Sequence, residues 1–258
     1  MIAEETPDQI SGEESAEPEV EMSFWDHLEE LRSRLLKIFA GVIPIWFISI
    51  GFAQDVINTV LLTPAWNSTI KLQNIRPFGQ LMLNFEVSFI VALIITVPYS
   101  FYHLWQFIAP ALHKHEKKAL IWAAFYSSFC FLGGTAFGYF VMIPSTLSFA
   151  AGFGSSDVLN IFALDEYMSL VFSILIGSSL IFELPVVSYL LTRVGLLTPE
   201  FMTKYRRHSI IILMILAAFL SPGTDPFSML ILAVPLLLLY ETSILISKWA
   251  TKRNLTSR

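Results

Sequence analysis

The residue with the most unusual surroundings in this sequence is Glu183, a carboxylate inside the apolar run SLIFELPVV at residues 179–187. An ionisable side chain is costly to bury in hydrocarbon, so it normally faces protein or water and serves a function. Ser179 lies four residues earlier, on the same face of a helix, and predicts a polar strip. The alternative is a glutamate that only hydrogen-bonds a neighbouring helix of the same chain.

Two other glutamates lie beside basic residues. Glu30 belongs to SFWDHLEELRSRLLK (23–37), whose apolar residues recur at helical spacing and predict an amphipathic helix at the membrane surface. Glu116 belongs to WQFIAPALHKHEKKAL (105–120), which carries three lysines. Each has an ordinary interpretation, because Glu30 can pair with Arg34 at i,i+4 spacing and Glu116 can be a solvated loop charge.

The composition indicates which elements hold these carboxylates. Hydrophobic residues make up 55% of the 258, charged residues 14%, and the mean hydropathy is +0.64. So few charges cannot cover a water-soluble surface. The sequence therefore predicts an all-α, polytopic membrane protein, since only helices and closed barrels satisfy their backbone in lipid.

Six apolar blocks are long enough to be membrane helices, with the amphipathic helix continuous with the first of them. They lie at about residues 38–54, 82–104, 119–143, 167–192, 208–220 and 227–247. The fifth has 13 residues and would reach only about 20 Å at ~1.5 Å per residue. We therefore expect helices five and six to be a pair of short spanning helices, with a re-entrant hairpin as the alternative.

Lysine and arginine fall almost entirely on one side of these helices. Only Lys71 and Arg76 of the 16 lie in a predicted outer loop, so both termini are expected to face the cytoplasm. Residues 1–22 are predicted to be a disordered acidic tail, 23–249 the six-helix domain and 250–258 a cytoplasmic tail.

Proline recurs in the three helices that run from outside to inside. Pro98, Pro185 and Pro235 each remove one backbone hydrogen bond and are expected to bend their helices. Bent helices would give the domain a curved wall.

Four segments together resemble the TatC family, the multispanning subunit of the twin-arginine protein translocase. They are HLEELRSRLL (27–36), FIAPALHKHEKK (107–118), FELPVV (182–187) and SPGTDPFSMLILAVPLLLLYE (221–241). The resemblance runs from about residue 23 to residue 249, with six helices in the same order. It implies a glove-like six-helix fold and a receptor for the twin-arginine signal peptides of folded cargo.

The resemblance also implies roles for particular residues. Glu30 and Glu116 would accept the arginines of the signal, since a guanidinium forms two parallel hydrogen bonds with a carboxylate and lysine cannot. Arg32 and Phe107, in the same motifs, would shape the site. Glu183 would lie on the membrane-exposed concave side and contact a partner helix or an inserted signal peptide.

The implied partners are TatA/TatB-type single-helix subunits, membrane lipid and further copies of the chain, with movement driven by the proton-motive force. No nucleic acid, cofactor, metal or enzymatic activity is expected. The implied location is the bacterial plasma (inner) membrane, with a thylakoid membrane as the alternative.

Two rival functions are weaker on the sequence. A proton-coupled small-solute transporter would use Glu183 as its proton carrier, but such proteins usually gather several buried polar groups and contain a repeat. A membrane-embedded enzyme has less support, because the sequence contains neither a zincin motif nor GxSxG.

Overall fold

A computed structural model describes residues 24–68, 70–108, 117–152, 161–193, 195–220 and 226–256. The segment that contains Glu116 lies outside the described residues. So do both predicted terminal tails, except for residues 250–256, which belong to the last helix.

The first helix, α1 (Phe24–Ile50), is continuous through the amphipathic segment and the first apolar block, as predicted. It packs along α4 (Gly79–Ile108), which contains Pro98. Between them lie α2 (Ala53–Val56), a π-helical segment (Ile57–Leu61), α3 (Thr63–Trp66) and strand β1 (Lys71–Gln73).

The middle of the chain forms two long, interrupted helices. The first comprises α5 (Lys117–Phe137), a π-helical segment (Gly138–Met142) and α6 (Ile143–Gly152). Strand β2 (Ile161–Ala163) then leads into α7 (Leu164–Phe182) and α8 (Leu184–Arg193). The break between α7 and α8 falls at Glu183, two residues before Pro185, whose ring nitrogen cannot donate a helical hydrogen bond.

The last helices are α9 (Pro199–Lys204), α10 (Arg206–Leu220) and α11 (Pro226–Thr256). With 15 residues, α10 is short, as predicted for helix five. By contrast, α11 has 31 residues and is not a short helix. It continues past the apolar block because residues 248–256 contain neither glycine nor proline to end it.

Five helical stretches in the described residues are long and apolar enough to cross a membrane. They are Trp25–Ile50, Gly79–Phe107, Ile121–Gly152, Leu164–Arg193 and Pro226–Thr251. The shorter α10 falls below that length, so the sixth crossing is still a prediction.

The connection between α1 and α4 is tied to the segments around α6 and α7 by contacts that the sequence did not predict. Strands β1 and β2 form a parallel two-stranded sheet, with Leu72 opposite Phe162. The hydroxyls of Tyr139 and Tyr167 donate to the carbonyls of Val60 and Leu61, at 2.8 and 2.6 Å. These contacts satisfy carbonyls of the first π-helical segment, whose backbone ladder is irregular.

The hydrophobic core is centred on α7. Met168, Val171 and Ile174 of this helix are almost fully buried. Helix α5 approaches α7 closely at Gly134, where an added Cβ would lie 2.6 Å from the Ser178 carbonyl oxygen and 2.7 Å from the Ser179 Cα. Small residues at such contacts let membrane helices pack backbone to backbone.

Candidate functional site

The N-terminal half of α1 is held against α4 by a seam of aromatic and polar side chains. The ring of Tyr99 lies where a side chain on Gly41 would be, since an added Cβ there would be 2.5 Å from Tyr99 Cε1. The Tyr99 hydroxyl donates to the Lys37 carbonyl at 2.8 Å. These contacts fix the position of Glu30 relative to the end of α4.

Within this seam, Glu30 binds a guanidinium of its own chain. Arg34 Nη2 donates to Glu30 Oε1 at 3.1 Å, and the two side chains are 23% and 19% exposed. Arg34 Nη1 donates to Gln106 Oε1 of α4 at 2.5 Å, and Gln106 Nε2 donates to the Tyr102 hydroxyl at 2.7 Å. The i,i+4 pairing that the spacing allowed is therefore formed, and α4 extends it into a network.

The second oxygen of Glu30 is not used by this network. Oε2 is buried and has no hydrogen-bond partner among the residues that the structure describes. Since a buried carboxylate oxygen without a donor costs free energy, Glu30 can accept a further hydrogen bond.

Phe107 joins the same site from α4. Its ring stacks on His27 of α1, with centroids 4.3 Å apart and an interplanar angle of 20°. His27 lies one helical turn before Glu30, so Phe107 forms an aromatic wall beside the carboxylate.

Arg32 faces a different direction from Glu30. It pairs with Glu29 at 3.3 Å, and both side chains are highly exposed, at 71% and 70%. Such a surface pair contributes little to stability. The structure therefore brings Glu30 and Phe107 to one seam, leaves Arg32 on the solvent side and does not describe Glu116.

Glu183 occupies a separate, buried position inside the membrane domain. The residue is 6% exposed, which differs from the expected membrane-exposed position on the concave side. Beside it, Trp105 Nε1 of α4 donates to Ser127 Oγ of α5 at 3.0 Å. The Ser127 hydroxyl lies close enough to the Glu183 carboxylate to interact with it, although neither carboxylate oxygen has a hydrogen bond of normal geometry from a described residue.

The predicted polar strip between Ser179 and Glu183 does not form as a hydrogen-bonded pair. Ser179 Oγ lies 2.7 Å from Thr135 Oγ1 of α5 and donates to the Leu175 carbonyl at 2.6 Å. The break in the helix at Glu183 instead turns that carboxylate toward Ser127 and Trp105.

Sequence reasoning did not identify several residues of the two sites. Tyr99, Tyr102 and Gln106 follow at i, i+3 and i+7 on α4, a spacing that would have indicated a polar face toward α1. Trp105 and Ser127 have no such pattern, because they meet only when α4 packs on α5.

Comparison with known proteins identifies the family. Residues 26–235 match the family described as Sec-independent protein translocase protein (TatC). The chain belongs to the TatC family. A TatC of Aquifex aeolicus is 34% identical over 90% of this chain and 97% of its own length. A TatC of Blattabacterium sp. subsp. Periplaneta americana is 32% identical over the same shares.

Solved TatC structures have the same fold. Two crystal structures described as the twin arginine translocase receptor TatC, one of them in DDM, align with TM-scores of 0.76 and 0.77. They are 34% and 33% identical, and the alignments cover 87% and 86% of this chain and 99% of each solved chain. The chain is thus a multi-pass membrane component of the twin-arginine protein translocase. This assignment excludes the small-solute transporter that the sequence analysis considered as a rival function.

Proposed function

We propose that this TatC chain is the receptor subunit that binds twin-arginine signal peptides at the cytoplasmic face of the plasma (inner) membrane. Glu30 is the acceptor for one signal arginine, and Glu116 is the acceptor for the other. Phe107 forms the wall of the site, and Arg32 contributes positive charge at its rim.

The observation that supports this proposal is that only one oxygen of the Glu30 carboxylate has a hydrogen-bond donor among the described residues. It holds a guanidinium through Oε1, while Oε2 is without a donor among the described residues. A site that already accommodates one guanidinium has the charge and the planar geometry that an arginine of the signal requires.

Chain connectivity supports the pairing with Glu116. Phe107, which contacts His27 next to Glu30, is nine residues before Glu116, and α5 begins directly after Glu116. A chain can extend by about 3.3–3.6 Å per residue, so this connection is long enough to bring Glu116 beside Glu30.

The remaining parts of the proposal concern assembly. The chain joins TatA/TatB-type single-helix subunits, and further copies of itself, to move folded cargo using the proton-motive force. Glu183 is the contact for a partner helix, because a donor supplied by that helix would bind oxygens that have no hydrogen bond of normal geometry within the described residues.

Peptide binding to the purified full chain tests the receptor function. A fluorescent twin-arginine peptide should bind more tightly than its twin-lysine variant, and Glu30→Gln and Glu116→Gln should each weaken twin-arginine binding about 10- to 100-fold, the range for losing a charged hydrogen bond. Glu200→Gln, which removes an exposed carboxylate from α9, is the matched control and should change little. Equal binding of both peptides, unaffected by the two substitutions, would disprove this role.

A further inference from the structure

Arg34 lies in the seam between α1 and α4, and the proposed function does not explain its contacts. The sequence and the proposed function assign this residue no role beyond a surface ion pair. In the structure it is only 23% exposed and connects two helices, from Glu30 on α1 to Gln106 on α4. A guanidinium therefore already occupies the carboxylate that is proposed to receive one.

The geometry makes Arg34 a competitor of an incoming arginine. Arg34 uses Oε1 of Glu30, and Oε2 is buried. An arginine of a signal peptide cannot form two parallel hydrogen bonds with Glu30 until Arg34 releases Oε1 and the carboxylate turns outward. Two guanidinium groups at one carboxylate would also repel each other.

Arg34 keeps a binding partner after it leaves Glu30. Its hydrogen bond to Gln106 uses Nη1, whereas the bond to Glu30 uses Nη2, so a side-chain rotation can break one and keep the other. Gln106 is itself oriented by the Tyr102 hydroxyl. The network can therefore hold Arg34 in two arrangements, one on Glu30 and one on Gln106 alone.

We propose that Arg34 is an internal substitute for the signal arginine, which covers Glu30 in the resting receptor and is displaced onto Gln106 when a signal peptide binds. This inference rests on the proposed function of Glu30. Displacement costs the same free energy whichever peptide arrives, so Arg34 lowers the affinity for every ligand of Glu30 by a common factor.

The test measures peptide affinity in the full chain with Arg34→Gln, using fluorescent twin-arginine and twin-lysine peptides. Removing Arg34 should lower the Kd of both peptides by about 3- to 10-fold, which is the range for a partly buried ion pair with one added hydrogen bond. The ratio of the two Kd values should not change. Lys37→Gln removes the same charge from the exposed side of α1 and should change affinity less than about twofold.

Two further variants make the result specific. In Glu30→Gln/Arg34→Gln the affinity should equal that of Glu30→Gln alone, because Arg34 acts only through Glu30. Arg34→Lys, whose single ammonium cannot bridge Glu30 and Gln106 as the guanidinium does, should tighten binding by a smaller factor, about twofold. If thermal unfolding shows that Arg34→Gln does not fold, the affinity measurement uses Arg34→Lys in its place.

Failure of this inference is distinguishable from failure of the proposed function. If Glu30→Gln weakens twin-arginine binding and Arg34→Gln or Arg34→Lys weakens it too, or leaves it unchanged, the inference is overturned and the receptor function stands. If the unsubstituted chain does not distinguish the two peptides, both are overturned.

Discussion

Glu30 and Glu183 are both carboxylates on helices of the membrane domain, and they differ in how their charge is balanced. Glu30 is partly exposed and paired with Arg34 in a network that crosses from α1 to α4. Glu183 is 6% exposed, lies near the Ser127 hydroxyl, and has no hydrogen bond of normal geometry from a described side chain. The first site can exchange one cation for another, whereas no ion pair is formed at the second within the described residues.

This difference indicates two kinds of recognition in one chain. A carboxylate that is already paired can select a charged ligand at small cost, because Arg34 balances the charge of Glu30 when the ligand is absent. The buried carboxylate of Glu183 has no such ion pair within the described residues, so an added donor would lower its free energy. We therefore expect cargo signals to be read at the first site and subunit association to depend on the second.

The largest expected effect comes from opening the contact between α5 and α7, which lies one helical turn before Glu183. Gly134→Val would place side-chain atoms against Ser178 and Ser179 and force α5 away from α7, which should lower the free energy of unfolding by about 3 kcal/mol or more. Thermal unfolding in detergent measures this change.

Gly133 provides the matched control for that substitution. An added Cβ at Gly133 comes no closer than 4.0 Å to Phe182 Cδ1, an ordinary contact. Gly133→Val should therefore have a much smaller effect. Equal destabilisation by the two valines would mean that helix propensity, not the α5–α7 contact, determines stability here.

An intermediate effect is expected from Glu183→Leu. Removing a buried carboxylate that has no hydrogen bond of normal geometry within the described residues should stabilise the isolated chain by about 1–3 kcal/mol, while co-purification of single-helix subunits should fall. The comparable change at Glu30, Glu30→Leu, should not stabilise the chain, because that carboxylate is already paired. A stabilised Glu183→Leu chain that still retains its partner subunits would refute the partner role of Glu183.

Glu86→Gln is the control for the association measurement. Glu86 is an exposed carboxylate on α4, and its neutralisation should leave co-purification unchanged.

The smallest expected effect is that of ionic strength, which should weaken peptide binding at Glu30 more than subunit association at Glu183. Raising the ionic strength from about 0.1 to 1 M shortens the Debye length from about 10 to 3 Å. Binding of a twin-arginine peptide at Glu30 should weaken by a few-fold, and subunit association through the buried Glu183 should hardly change. Equal salt sensitivity of the two measurements would remove the distinction between the sites.

Much of the fold could be predicted because its signals are local. The amphipathic pattern of residues 23–37 and the apolar block after it predict one continuous α1, and the structure has one. Pro185 predicts an interruption in the fourth apolar block, which occurs at Glu183. The β1–β2 sheet could not be predicted, since strands of three residues that pair about 90 positions apart carry no local pattern.

The site was harder to predict for a different reason. The sequence singled out Glu30, Phe107 and Glu183 as candidates, and the family resemblance implied a membrane-exposed position for Glu183. The sequence could not correct that position, because a helix face that meets lipid has the same composition as one that meets another helix. Which face is buried is therefore decided by packing alone.

The sequence by itself determined the membrane class, the order of the helices, the family and the i,i+4 pairing of Glu30 with Arg34, because these follow from composition, local spacing and contiguous motifs. Only the tertiary structure decided that Arg34 also reaches Gln106, and that Trp105 donates to Ser127 near Glu183. The first of these contacts joins residues 72 positions apart and the second joins residues 22 positions apart, and their partners depend on how α1, α4 and α5 pack against one another.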